Sequence, residues 1–156
     1  MPPTDEQPVA PEGTRARPLI LLVEDQSDLR RLYAHQLAIS GFDVIEAENG
    51  ADAVLDTATH APDVVLMDLS LPVIDGWEAT RRLKANPATR SIPVIAFTAH
   101  TTHEDIDHAL AVGCVAIIAK PFEIHVFLTQ VVAVLAQAAQ HGRQRAIGTV
   151  WEASGG

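Results

Sequence analysis

Five short apolar runs that read as strands recur along the chain, separated by helix-like segments, and four of the five stop abruptly on a polar side chain. Residues 19–23 (LILLV) run into Glu24 and Asp25, and residues 63–67 (DVVLM) run into Asp68. Residues 93–97 (PVIAF) run into Thr98, and residues 114–119 (CVAIIA) run into Lys120. Strands alternating with helices predict a parallel sheet covered on both faces, and near-continuous apolar runs suit strands buried on both sides. In such a sheet the crevice outside the carboxyl ends of the strands is where ligands bind. The pattern therefore predicts that three carboxylates, one hydroxyl and one ammonium, distant in sequence, meet at one end of the sheet.

The connecting segments support that layout. Apolar residues at helical spacing predict helices over residues 26–40, 51–60, 76–84, 101–112 and 122–140, with a short strand at 43–46. Gly41, Pro62, Asn86-Pro87 and Gly113 supply the stops. Residues 1–17, rich in Pro, Glu, Thr and Gly, read as a flexible leader, 18–140 as one compact domain, and 141–156 as a tail. Trp151 in that tail either frays with it or packs back on the domain. At 156 residues and 47% hydrophobic the chain can bury a core, which excludes disorder throughout. A net charge of −9 argues against binding nucleic acid through its own surface. The single Cys114 excludes an intrachain disulfide and fits a reducing cytoplasm. No apolar run approaches the ~20 residues of a membrane span, and residues 1–17 lack the apolar stretch of a secretory signal. Too few residues follow the fifth helix for a DNA-binding or enzymatic module. Any downstream action is therefore expected to pass through another protein.

A lone Asp after a strand is most often a cap or turn residue, a Lys at a strand end a snorkelling surface residue, and Thr98 a cap for the next helix. Their company changes the reading. The first and third strands are neighbours at the switch point of a 2-1-3-4-5 sheet, so Asp68 is expected beside Glu24 and Asp25. Three adjacent carboxylates repel and hold their protons more tightly unless a cation joins them. A hard divalent ion with oxygen ligands resolves this, and Mg2+ is favoured because it takes few carboxylates and completes its shell with water and phosphate oxygens. Aspartate is also a known phosphoryl acceptor, and phosphoryl transfer needs mainly positioning and charge neutralisation. Lys120 offers the charge and Thr98 the hydroxyl.

With these pieces in order, residues 18–140 resemble the receiver domains of two-component response regulators. The matching segments are 22–25 (LVED), 63–68 (DVVLMD), Leu71-Pro72 with Asp75-Gly76, 92–99 (IPVIAFTA) and 120–122 (KPF). The resemblance implies a flavodoxin-like, doubly wound, five-stranded α/β fold. It implies a stand-alone regulator, not an enzyme acting on a separate substrate. Asp68 would accept a phosphoryl group from a histidine kinase or phosphotransfer protein. Asp25 and Asp68 would bind Mg2+ through side chains, Glu24 largely through water, and Ser70 through its backbone carbonyl. Thr98 and Lys120 would hold the phosphoryl oxygens, and the Lys120–Pro121 peptide would be cis. A downstream partner would read the face made by the fourth helix, fifth strand and fifth helix. Two positions depart from the family pattern. Ile117 stands where an aromatic switch residue is usual, and Ile74 stands where Met is common. Ile117 is expected to pack as an ordinary strand residue under the fourth helix.

Other readings carry less. A flavin-binding electron carrier would need a Ser/Thr/Gly-rich phosphate loop after the first strand, where residues 24–28 (EDQSD) are acidic. An aspartate phosphatase would want a second acid where Ser70 stands. The rival is an interaction module that kept the fold and is not phosphorylated, which the intact acidic and Lys120 positions argue against. His100, His103 and His108 read as surface histidines, Cys114 as a small buried hydrophobe, and Trp77 as locally packed.

Overall fold

The computed structural model describes residues 16–99, 101–120 and 122–146, with side chains up to residue 140. The leader up to residue 15, His100, the Lys120–Pro121 peptide and Trp151 lie outside the described residues.

Five parallel strands, β1 (Leu19–Val23), β2 (Asp43–Ala47), β3 (Val64–Asp68), β4 (Val94–Thr98) and β5 (Ala116–Ala119), form one sheet in the order β2-β1-β3-β4-β5. They alternate with α1 (Ser27–Ile39), α2 (Gly50–His60), α3 (Gly76–Ala85), α4 (His103–Val112) and α5 (Ile124–Ala146). This is the expected doubly wound fold and strand order. β3 and β4 are buried along their whole length, as the uninterrupted apolar runs require.

Period-two alternation sorts the strand side chains into two cores. Leu21, Val23, Val65, Met67 and Ala96 face α2, α3 and α4, where they meet Ala53, Ala79, Leu83 and Ala109. Ile20, Leu22, Leu66, Ile95 and Phe97 face α1 and α5, where they meet Leu37, Phe127 and Val131. Burying each large aliphatic chain stabilises the fold by roughly 1.5–3 kcal/mol. The second core is also aromatic. Tyr33 stacks on Phe122 at 5.1 Å, Phe122 stacks on Phe127 at 4.8 Å, and Phe97 meets all three rings edge-on or near it.

Element ends shift for local reasons. α4 begins at His103, not at residue 101, because Thr102 caps it. Its Oγ1 accepts from the Asp105 N–H at 3.1 Å, and the Asp105 carboxylate accepts from the Thr102 N–H at 3.3 Å. The α4 cap is thus Thr102, which leaves Thr98 as the last residue of β4. β5 begins at Ala116, not at residue 114. Gly113, at φ +114°, and Cys114 still donate their N–H groups back to Leu110 and Ala109 to close the helix. α5 continues past Gln140 to Ala146.

Candidate functional site

The four strand ends converge. β1 delivers Glu24 and Asp25, β3 ends on Asp68 between β1 and β4, and β4 ends on Thr98. Thr98 pairs with Ala119 across to β5, and the Lys120 N–H donates to the Thr98 carbonyl at 2.8 Å, so Lys120 leaves the sheet beside Thr98. Carboxylate oxygens of Glu24, Asp25 and Asp68 lie within 4.8 Å of one another. Glu24 and Asp68 are buried, and Asp25 is exposed at the mouth.

The Lys120 ammonium bridges the two buried acids, at 2.8 Å from Glu24 Oε1 and 3.1 Å from Asp68 Oδ2. The ammonium also sits 4.9 Å above the Phe97 ring, which adds a cation–π attraction. Burial works against the charged lysine. The hydrogen bond to Glu24 and the charges of Asp68 and Glu24 outweigh it, holding the Lys120 pKa above its ordinary 10.5. The other Asp68 oxygen, Oδ1, accepts from the Ser70 N–H at 3.0 Å. Asp68 is therefore fixed from both sides. Although Asp25 is exposed, its carboxyl holds its proton more tightly than the usual 3.8, first because the protein beside it displaces part of its water, then through its hydrogen bond with Glu24 and that group's charge, against a backbone hydrogen bond and the pull of Lys120. This is the crowding of acids expected from the sequence.

The loop after β3 is built around close approaches. The α-carbon of Gly76 lies against the Asp68 carbonyl and Leu69 Cα, where a Cβ has no room, and its N–H donates to the Leu69 carbonyl at 3.0 Å. Asp75 caps α3 by accepting from the Glu78 N–H at 2.8 Å. Ile74, where Met was the expected family choice, packs on the α2–α3–α4 core and places its carbonyl against Gly50. Ile117 packs on the same core, to which α4 contributes Ala109.

Several contacts were not anticipated. Arg30 of α1 bonds to the Glu24 carbonyl and to Glu46. No sequence pattern flagged it, because one arginine in a helix reads like any other. Trp77 stacks flat on His108 of α4, with centroids 4.3 Å apart and planes 6° apart. Its partner therefore lies on the next helix. Cys114 is buried, and burial raises its thiol pKa, as suits a small core residue. Among the described residues the acidic trio is the group that could hold a metal ion, and His103 and His108 belong to no such group.

A family model, the response regulator receiver domain, matches residues 20–132. The chain belongs to that family. The polar-differentiation response regulator DivK of Brucella anthropi is 34% identical over 119 residues, spanning 76% of this chain and 97% of the relative. Among solved structures, one similar fold is the receiver domain of the sensor histidine kinase PA1611 from Pseudomonas aeruginosa, with a magnesium ion coordinated in its active site cleft. Its TM-score is 0.73 at 32% identity, covering 78% of this chain and 99% of that one. The chemotaxis response regulator CheY4 of Vibrio cholerae superposes with a TM-score of 0.72 at 25% identity, covering 76% and 98%. The protein is thus a two-component receiver domain, a class of generally non-enzymatic phosphoacceptors. Among its described residues no helix is long and apolar enough to cross a membrane.

The acidic trio fits the divalent cation of this family. Its donors are all hard oxygens gathered within one coordination sphere's reach, with no thiol or imidazole among them. Three carboxylates face the single Lys120 ammonium, which leaves room for a further positive charge.

Proposed function

We propose that the protein is a response regulator that takes a phosphoryl group on Asp68 from the phosphohistidine of a histidine kinase or phosphotransfer protein, in the cytoplasm. The observation that carries this reading is the pinning of Asp68. A buried carboxylate is held by the Ser70 N–H and the Lys120 ammonium at the focus of a carboxylate cluster. In the transfer, an Asp68 oxygen attacks phosphorus. The P–O bond to Asp68 forms as the P–N bond to imidazole breaks, and the imidazole leaves and takes up a proton. In a separate hydrolysis, a water oxygen attacks the phosphorus as the bond to Asp68 breaks, which returns inorganic phosphate and the free carboxylate. Asp25, Asp68 and the Ser70 backbone carbonyl would hold Mg2+ directly, and Glu24 would hold it through water. The cation would supply neutralisation of the phosphoryl oxygens. The Lys120 ammonium and the Thr98 hydroxyl would take the remaining oxygens, with Lys120 exchanging its Asp68 contact for one of them. The signal would pass to a protein partner through the face of α4, β5 and α5.

The deciding experiment incubates wild type and Asp68→Asn with Mg2+ and acetyl phosphate and maps the label by mass spectrometry. Label confined to residue 68 and lost in the variant is expected. Undiminished label in Asp68→Asn overturns the assignment.

A further inference from the structure

The edge strand β2 contributes no group to the site, yet its last two residues hold the turn that carries the acids. The Glu24 N–H donates to the Ala47 carbonyl at 3.1 Å. The Glu24 carbonyl accepts from Arg30 Nη1 at 2.9 Å, and Arg30 Nε donates to the Glu46 carboxylate at 3.2 Å. Arg30 is well covered, with 13% of its side chain exposed. Its own N–H reaches back to the Gln26 carbonyl at 2.9 Å as the first turn of α1. The peptide joining Glu24 to Asp25 is therefore gripped through its carbonyl by a guanidinium that is itself anchored on β2.

The geometry points to Arg30, seated on Glu46, as a positioning residue that fixes the Glu24–Asp25 peptide so that the Asp25 carboxylate faces Asp68. A planar guanidinium suits this task because it can serve a carbonyl and a carboxylate at once in fixed directions, whereas an ammonium offers one point of charge. Arg30 acts through geometry. The inference rests on the cation role proposed for Asp25. It adds that β2 and α1, which touch no phosphoryl oxygen, set how well that cation is held.

The test measures Mg2+-dependent labelling by acetyl phosphate in wild type, Arg30→Met, Arg30→Lys and Glu46→Gln, with amide exchange at residues 24–26 followed in parallel without metal. Arg30→Met should raise the Mg2+ concentration for half-maximal rate about tenfold, the usual cost of removing a group that orients a metal ligand. The rate at saturating Mg2+ should be retained. Arg30→Lys should recover part of the loss, Glu46→Gln should show a smaller shift in the same direction, and exchange at residues 24–26 should quicken in Arg30→Met. A merely destabilising substitution would lower the labelled fraction at every Mg2+ concentration, and that outcome overturns the inference, as does an unchanged half-saturation. If wild type takes no label at Asp68, the proposed function fails. The exchange measurement then still judges the brace, and unchanged exchange in Arg30→Met sinks it.

Discussion

Removing the Lys120 ammonium is the most searching perturbation of this site, because one cation serves two buried acids. In Lys120→Met the stem is kept and the charge is lost. At 2.8 and 3.1 Å from Glu24 and Asp68, each pair has a gross Coulomb attraction of about 5–6 kcal/mol at an effective dielectric constant of about 20. Most of that attraction offsets the cost of taking the charges out of water. Deleting one partner leaves the others buried without compensation, however, and such deletions cost about 3 kcal/mol or more. We expect Lys120→Met to be about 3 kcal/mol less stable than wild type in urea at pH 7 without metal. Two conditions should narrow the deficit. Lowering the pH through the carboxylate range protonates the uncompensated acids. Adding Mg2+ replaces the missing positive charge. If the variant binds Mg2+ tenfold tighter than wild type, having no ammonium to displace, saturation returns about 1.4 kcal/mol. In wild type the Lys120 pKa is raised in the fold, so its stabilisation is complete below the unfolded value of about 10.4. It is lost as pH rises through the folded value, which lies above 10.5. A deficit below about 1 kcal/mol at pH 7, or one indifferent to Mg2+, would refute the claim that Lys120 and a cation act on one shared carboxylate cluster.

Two further outcomes follow from the same geometry. Because the Asp25 pKa is raised above 3.8, protons should compete with Mg2+ at a higher pH than for an ordinary aspartate. The Mg2+ dissociation constant should rise on acidification with a midpoint above 3.8, and a midpoint at or below it would remove the crowding argument. In the metal-free protein this raised pKa favours the fold below the unfolded Asp value and works against it above. Gly76→Ala would drive a Cβ into the Asp68 carbonyl and to 2.7 Å from Leu69 Cα, both backbone. It should cost about 3 kcal/mol in thermal melts and slow labelling of Asp68. A melt within ~0.5 kcal/mol of wild type would show that the loop can yield.

The alternation of strands and helices and the polar strand ends were legible because one sequence displays both, while the order 2-1-3-4-5 that brings the acids together is what the resemblance to receiver domains implies. Glu24, Asp25, Asp68 and Lys120 meet because β1, β3 and β5 run parallel and end level. Helix limits were less legible. Thr101 and Thr102 are both fair caps, and only the Asp105 carboxylate closing on Thr102 decides between them. Contacts of single helix side chains with neighbouring elements left no trace in the sequence. The grip of Arg30 on Glu24 needs the angle of α1 over the sheet, and the stack of Trp77 on His108 needs the spacing of α3 and α4.

Charge explains why these groups belong together. With all three acids ionised, Glu24, Asp25 and Asp68 exceed the single ammonium of Lys120 by two negative charges. One divalent cation cancels that excess. An aspartyl phosphate would carry about two negative charges where the carboxylate carried one, and under the proposed function it would enter only with the cation present and Lys120 free to turn to it. Phosphorylation without the cation would place like charges side by side in a site where Glu24 and Asp68 are already buried. Under the proposed function, cation and phosphoryl group would therefore be coupled ligands, each raising the affinity for the other. The Lys120 bridge to Asp68 is the contact that must yield for the second to arrive, and whatever holds Asp25 in line sets the strength of the coupling.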